Sequence, residues 1–402
     1  MKYLFWMKIM VTDGGEESNK VKNSQCNEDK FNDIFKYGCI NMTTKKSICF
    51  IMPGLSHGAV GGYKIAYEYA NRLAALGYKV SVFYPLFMTK RMKFSLLVRI
   101  KKLLVYLPLK ILKLYRQRWF PLKNVKEEFS FSYSKKIFKK YDVLVATFID
   151  SAFALHDLNL NKSKSYIYLI QDFEKWPPFS ETQVFESYGF PMKKVVITPW
   201  LLEKVRSAGE DATLIYNGLD FSYFTLSKKI EERNSYEISL MYHIRPEKRF
   251  EDSVKALEIV HDKFPQIHVS VFGIFNNPGN FPDWFAYYKS PSKKLHNKIY
   301  NDSSIYIAAS STEGFGLTVA EAMICGCAVA CTDNGGFSSM VTDGETGLLS
   351  PVFDYKALAE NIIKLISYNE LRIRLAKNGN ENIKKFNWKS AVESFQKVIE
   401  EC

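Results

Sequence analysis

Short apolar runs alternate with amphipathic stretches along most of the chain. SICFIMPG (47–54) is an almost continuous apolar run closed by Pro-Gly, the pattern of a buried strand. A glycine-rich turn, LSHGAVGG (55–62), leads into YKIAYEYANRLAALGYKV (63–80). There Ile65, Ala66, Tyr69, Leu73 and Leu76 recur at helical spacing, and Gly77 ends the helix. KVSVFYP (79–85) predicts the next strand, so this stretch reads as one βαβ unit, the building block of a parallel sheet.

The same alternation continues. YDVLVATFID (141–150), YIYLIQD (166–172) and KVVITP (194–199) predict strands, WLLEKVRSAG (200–209) a short helix, and TLIYNGLD (213–220) closes the first half. The polar SKKIEERNS (227–235) reads as a linker, after which the pattern restarts. Strands are predicted at 236–244, 267–273, 305–310 and 327–332, with helices at 249–264 and 295–303. Two βαβ series joined by a linker predict an α/β chain of two doubly wound, Rossmann-like domains, 47–226 and 236–385, facing a central cleft. At 402 residues the chain has the length for both.

Charge changes the picture in one place. Residues 90–140 hold 16 Lys/Arg against two Glu, so the formal net charge of +13 resides in this insert and the remainder is close to neutral. Leu96, Leu97, Ile100, Leu103, Leu104 and Leu107 fall on one helical face, with Arg99, Lys101 and Lys102 on the other, and Pro108 breaks or kinks the run before 109–119 resumes it. A basic amphipathic insert suits an anionic membrane surface better than nucleic acid, whose binders more often spread charge over a folded face. Lysines on a solvated helix face would be the plainer reading. Seven cysteines do not form a disulfide framework, and Cys325, Cys327 and Cys331 read as small hydrophobes rather than zinc ligands.

The N-terminus has no signal-peptide pattern, residues 1–46 are expected to form a disordered tail, and either Met1 or Met42 could be the start. No uncharged apolar run is long enough to span a bilayer, which predicts a cytoplasmic protein, peripheral at the inner membrane face.

Candidate chemistry gathers in SSTEGFGLTVAEAMICG (310–326). Glu313 follows a predicted strand at the edge where open sheets bind ligands, and Gly314 and Gly316 let the backbone turn sharply beside one. The amides of Phe315, Gly316, Leu317 and Thr318 then lie at a helix start, which favours an anion such as a diphosphate. Glu321, about one and a half turns on, suits the two hydroxyls of a ribose, and Glu313 the sugar beyond the phosphates. Helix capping by Glu313 and simple solvation of Glu321 are the structural alternatives. Cations should come from HIRPEKRF (243–250): Arg245, with Lys248 or Arg249.

Residues 305–365 resemble the donor-binding signature of family 4 glycosyltransferases, retaining enzymes of the GT-B fold. The likeness rests on S-x2-E-G-F-G-L-x3-E-A-M-x2-G from Ser310 to Gly326, TDNGG (332–336) and DGETGLL (343–349). GGYKIAYEYANRLAALGYKVSVF is similar to that family's N-terminal glycine loop, and FNWKSAVESFQKVIEE to its closing helix. The resemblance therefore implies that 386–402 crosses back to the first domain. YLIQDFEKWPPF (168–179), TPWLLEKV (198–205) and Arg245-Pro246 look like a rhamnosyltransferase-like branch. The loop departs from the family's usual Gly-Arg-Leu with Lys five residues on, which leaves open whether Lys248 or Arg249 meets phosphate.

Carried over residue by residue, the resemblance implies Glu313, Arg245 and Lys248 as catalytic. It implies Glu321, Gly314–Thr318, Arg249, Gly61 and Gly62 as donor-binding, with His156, Asp172 and Glu174 on the acceptor side. It implies metal-independent transfer with no cofactor, from a nucleotide-diphospho-sugar co-substrate to a glycan or lipid-linked acceptor in surface polysaccharide synthesis. A nucleotide-sugar epimerase of the same fold and a nucleic-acid-binding protein acting through 90–140 are the alternatives.

Overall fold

The computed structural model describes residues 45–401, apart from 57, 59, 90, 92–95, 112–116, 160–163, 176 and 280. Nearly all of the expected N-terminal tail, with Met1 and Met42, lies outside the described residues, as does part of the basic insert. From Lys45 onward the chain forms one compact unit.

Two parallel sheets organise it. The first joins β1 (Ser47–Ile51), β2 (Lys79–Pro85), β3 (Lys126–Ser130), β4 (Val143–Ala146), β5 (Ser165–Ile170), β6 (Lys193–Val196) and β7 (Thr213–Leu214) in the order β3-β2-β1-β4-β5-β6-β7. The second joins β8 (Glu237–Met241), β9 (His268–Gly273), β10 (Phe285–Lys289), β11 (Ile305–Ala308), β12 (Ala328–Thr332) and β13 (Leu348–Ser350) as β10-β9-β8-β11-β12-β13. Central strands such as Val143–Ala146 and Ala328–Thr332 are buried throughout, as a parallel sheet covered by helices on both faces requires.

Each order reverses once, between β1 and β4 and between β8 and β11. At such a point neighbouring crossovers run to opposite faces and their loops part, leaving a crevice at the strands' C-terminal ends. The loops after β8 and β11 hold Lys248 and Glu313, and the loop after β1 runs into the helix Gly61–Ala75. That helix begins on the glycine pair itself, two residues before the predicted start.

The helix Trp388–Glu400 returns to the first sheet. Phe395 packs on Phe50 and Tyr69, and Trp388 on Tyr69, with ring centroids 6.2, 4.7 and 5.2 Å apart. Upstream, Leu219 donates its amide to Phe386 O at 2.9 Å, and a Cβ on Gly218 would lie 2.3 Å from the Trp388 ring. Only glycine lets those segments pass so closely. Cys325, Cys327 and Cys331 are free and buried.

Several elements differ from the sequence expectation. Pro108 lies inside one helix, Leu96–Ile111, rather than breaking it. The strand expected at 141–150 is short, and Ile149–Leu158 is a helix. The edge strands β3 and β10 and the helices Glu181–Tyr188, Tyr355–Ser367 and Asn369–Asn382 were not anticipated. In the basic helix Leu97, Ile100, Leu104, Val105 and Leu107 face solvent, Leu97 being 79% exposed, while Tyr106 turns inward against Phe131. Among the described residues no helix is long and apolar enough to cross a membrane.

Candidate active site

The loops at the second switch point are stitched together before any side chain reaches into the crevice. Ser311 donates its amide to Glu247 O at 2.8 Å, tying the loop after β11 to the loop after β8. Thr332 Oγ1 and Asn334 Nδ2 both donate to Ser310 O, at 2.6 and 2.8 Å, which adds the loop after β12. Gly336 of that loop lies flush against Glu313, since a Cβ there would sit 2.5 Å from Glu313 O.

On this frame Lys248 Nζ reaches Glu313 Oε1 at 2.6 Å, and Ser310 Oγ donates to the same oxygen at 2.8 Å. Glu313 therefore does not cap the following helix. The helix Leu317–Ile324 starts at Gly316, whose φ of +96° only glycine adopts freely, and no side chain caps it. Its first amides and dipole are left for an anion. Phe315 anchors the turn by packing on Phe386, and Thr318 bonds with the buried Tyr306.

Glu321 faces a narrow cleft that Lys64, Asp220, Phe224, Leu317 and Trp388 also line. It is 9% exposed, accepts from Tyr300 Oη at 3.3 Å, and lies 3.6 Å from Lys64 Nζ of the helix Gly61–Ala75. Burial raises its carboxyl pKa, and Lys64 and Tyr300 counter that.

The first sheet supplies the opposite wall. Gly61 lies against Leu317 and Gly62 against the Gln171 side chain, with Cβ positions 3.2 and 3.5 Å away. Gly314 is closer still, since a Cβ there would lie 2.0 Å from Gln171 O. Thr198 Oγ1 and Trp200 Nε1 donate to Gly314 O at 3.2 and 3.4 Å. Asp172 follows Gln171, and burial together with the nearby Glu313 charge pushes its pKa up to about 6, against the pull of Phe173 N–H, Lys248 and Arg245. Asp172, Glu313, Lys248 and Arg245 thus form one coupled group across the crevice.

Three candidates stand elsewhere. Arg249, at φ +48°, is committed to Asp252 through Nε and Nη2 contacts of 2.7 and 2.9 Å, with its guanidinium over Phe353. Of the two residues left open by the sequence, Lys248 is the one in the crevice. Glu174 is a buried cap, 7% exposed, accepting Ile149 N–H at 2.5 Å at the start of the helix Ile149–Leu158. His156, in the last turn of that helix, stacks on Phe190 at 4.0 Å with its side chain 46% exposed. It lies roughly two turns from the strand ends. Arg245 is half exposed and 3.5 Å from Glu247.

Sequence reading missed Lys64, Gln171, Thr198, Trp200, Tyr300 and His296. Lys64 had a signal, because a cation in the first turn of a helix opposes the dipole and calls for a carboxylate nearby. Gln171 Oε1 and His296 Nε2 are buried without a hydrogen-bond partner among the described residues. Among those residues no three His, Cys, Asp or Glu side chains gather as a metal site.

Residues 224–382 match the family described as glycosyl transferases group 1. An uncharacterized glycosyltransferase of Methanocaldococcus jannaschii is 41% identical over 98 residues, 24% of this chain and 28% of that protein. The phosphatidyl-myo-inositol mannosyltransferase of Mycobacterium tuberculosis is 24% identical over 215 residues, 50% of this chain and 56% of that protein. The chain thus spans about half or less of these relatives' length. The crystal structure of Anabaena Alr3699/HepE in complex with UDP and glucose superposes with a TM-score of 0.68 at 14% identity, over 89% of this chain and 100% of that one. That likeness concerns the fold alone. The chain therefore has the two-sheet GT-B fold, and over residues 224–382 its sequence matches the glycosyl transferases group 1 family.

Proposed function

We propose that the protein is a retaining glycosyltransferase that moves a sugar from a nucleotide-diphospho-sugar to a glycan or lipid-linked acceptor in surface polysaccharide synthesis. The observation that carries this reading is the pairing of Lys248 with Glu313 beside the uncapped start of Leu317–Ile324, with Glu321 on the same helix. A cation and free amides suit a diphosphate, and a buried carboxylate one and a half turns along suits the pentose next to it.

In this mechanism the acceptor hydroxyl attacks the anomeric carbon from the face the diphosphate leaves. The bond from that carbon to the phosphate oxygen breaks as the new glycosidic bond forms, and the hydroxyl proton passes to the departing oxygen. Negative charge grows on the diphosphate, where Lys248, Arg245 and the helix amides oppose it. Glu313 and Asp172 face the sugar, where positive charge develops. The segments similar to rhamnosyltransferases put a rhamnose donor first among those to test.

Screening nucleotide sugars by thermal shift, then by nucleotide release with and without acceptor glycans, tests the reading. Glu321→Ala should weaken nucleotide binding roughly tenfold or more, the worth of hydrogen bonds to a charged group. Arg245→Ala should lower turnover. Unchanged affinity and rate in both variants would remove the assignment. Conversion of the donor's sugar without any acceptor would favour the epimerase reading.

The acceptor side also has a surface argument. The exposed stripe Leu97, Ile100, Leu104 and Leu107 lies in the segment that holds the chain's net positive charge. We assign it to the surface of an anionic bilayer, with each Lys or Arg near such a surface adding roughly 1 kcal/mol. The mannosyltransferase relative, whose name gives a phosphatidyl-inositol substrate, is consistent with a lipid-borne acceptor. Vesicle co-sedimentation should depend on anionic lipid and be lost in Leu97→Asp/Leu104→Asp. Sedimentation that ignores lipid charge would remove the claim, and salt-dependent DNA binding in its place would favour a nucleic-acid role.

A further inference from the structure

We infer that Lys64 is a positioning residue that holds Glu321 ionised and aimed for the pentose hydroxyls, so that recognition of the nucleotide on the second sheet requires a side chain from the first. The inference rests on the donor-site reading above and goes beyond it, since the glycine-loop segment that contains Lys64 entered that reading only through Gly61 and Gly62.

Glu321 is almost enclosed, and an enclosed carboxylate tends to take up a proton, after which it can accept fewer hydroxyl hydrogen bonds. The groups facing it come from its own helix and four other elements. Lys64 stands on the helix Gly61–Ala75, with its ammonium 3.6 Å from Oε1. Tyr300 stands on the helix Lys293–Asp302 and donates to Oε2. Asp220 and Tyr223 lie on the segment after β7, and Cys325, on Glu321's own helix end, and Tyr306 of β11 complete the surroundings.

Of these only Lys64 carries a positive charge. Asp220 works against ionisation, and Tyr300 gives a neutral hydrogen bond. His296, on the same helix as Tyr300, has its pKa lowered to about 4 by burial and then by Lys64, so it is neutral and lends no charge. Lys64 is also the one neighbour in this set that the glycine loop delivers, because Gly61 fixes the start of its helix against Leu317. The ion pair therefore forms only when the two halves stand as they do here.

The sign of the pH effect follows. Burial raises the Glu321 pKa and Lys64 lowers it. Without the ammonium the carboxyl titrates higher, so as pH falls the variant should lose nucleotide affinity at a higher pH than the wild type does. A direct phosphate contact by Lys64 would weaken binding at every pH alike.

The test uses the full chain and titrates uridine, guanosine, adenosine and thymidine diphosphate by calorimetry between pH 6 and pH 8.5. Lys64→Met, Lys64→Arg, Glu321→Gln and the Lys64→Met/Glu321→Gln double variant are then compared with the wild type for the diphosphate that binds. Reading each variant as a ratio to wild type cancels the nucleotide's own titration. Lys64→Met is expected to lose roughly tenfold at the acid end, the worth of one hydrogen bond to a charged group, and to recover at the alkaline end. Lys64→Arg should restore the profile, and the double variant should bind no more weakly than Glu321→Gln alone. Additive losses, or a Lys64→Met ratio independent of pH, would overturn the inference while leaving the donor site in place. Failure of the wild type to bind any of the four diphosphates would instead strike the underlying reading.

Discussion

Lys248→Met is expected to lower turnover by about 10²–10³-fold, the usual cost of removing one preorganised donor from a developing negative charge. The ammonium sits 2.6 Å from Glu313, on loops that Ser311 and Glu247 hold together, so it cannot be replaced by a small shift of the backbone. Its loss would also leave Glu313 and Asp172 facing each other with only the half-exposed Arg245 to offset them. Affinity for the free nucleoside diphosphate should fall far less than turnover, because the leaving group gains its extra charge only as the bond breaks. Diphosphate release under saturating donor gives the first quantity and calorimetry the second. Equal losses in both would reduce Lys248 to a binding residue, and no loss in either would remove it from the site.

Gly314→Ala should be equally severe for a different reason. A methyl group there would stand 2.0 Å from Gln171 O and 3.1 Å from its carbonyl carbon, both backbone atoms. The loop also gives its own carbonyl to Thr198 and Trp200, so relief requires the two sheets to part by roughly 1 Å, a misplacement that costs on the order of 10² in rate. Nucleotide affinity should keep the share that second-sheet contacts supply and lose the share that depends on the Lys64–Glu321 pair, while small-angle scattering should report a larger radius. Gly58→Ala, with nothing within 4 Å, is the control and should be neutral. Full activity in Gly314→Ala would mean that the closed contact plays no part in turnover.

How much of this was legible beforehand depends on the range of each interaction. Buried parallel strands announce themselves, because runs such as VLVA and AVACT must be apolar on both faces to lie between helices. The edge strands β3, KEEFS, and β10, FAYYK, escaped notice because each has a wetter face and a pattern that other structures share. Pro108 predicts a break or a kink from local geometry, and the helix Leu96–Ile111 runs through it without a break.

The EGFG turn shows the same division. Gly316 was readable as a positive-φ helix start, a local demand of the backbone. The closeness of Gly314 to Gln171 was not, since the partner stands 143 positions away in sequence and belongs to the other sheet.

The sequence by itself determined two doubly wound α/β halves, the glycine turn into Leu317–Ile324, and the residue types that suit a diphosphate and a pentose. Those features are set by periodicity and backbone geometry within a few residues. Only the tertiary structure decided that Lys248 rather than Arg249 enters the crevice, that Glu174 is consumed as a helix cap and that His156 lies outside it. It alone brought Lys64 to Glu321. Each of these is a choice among several charged partners within reach, and it is made by which neighbour the packed sheets deliver.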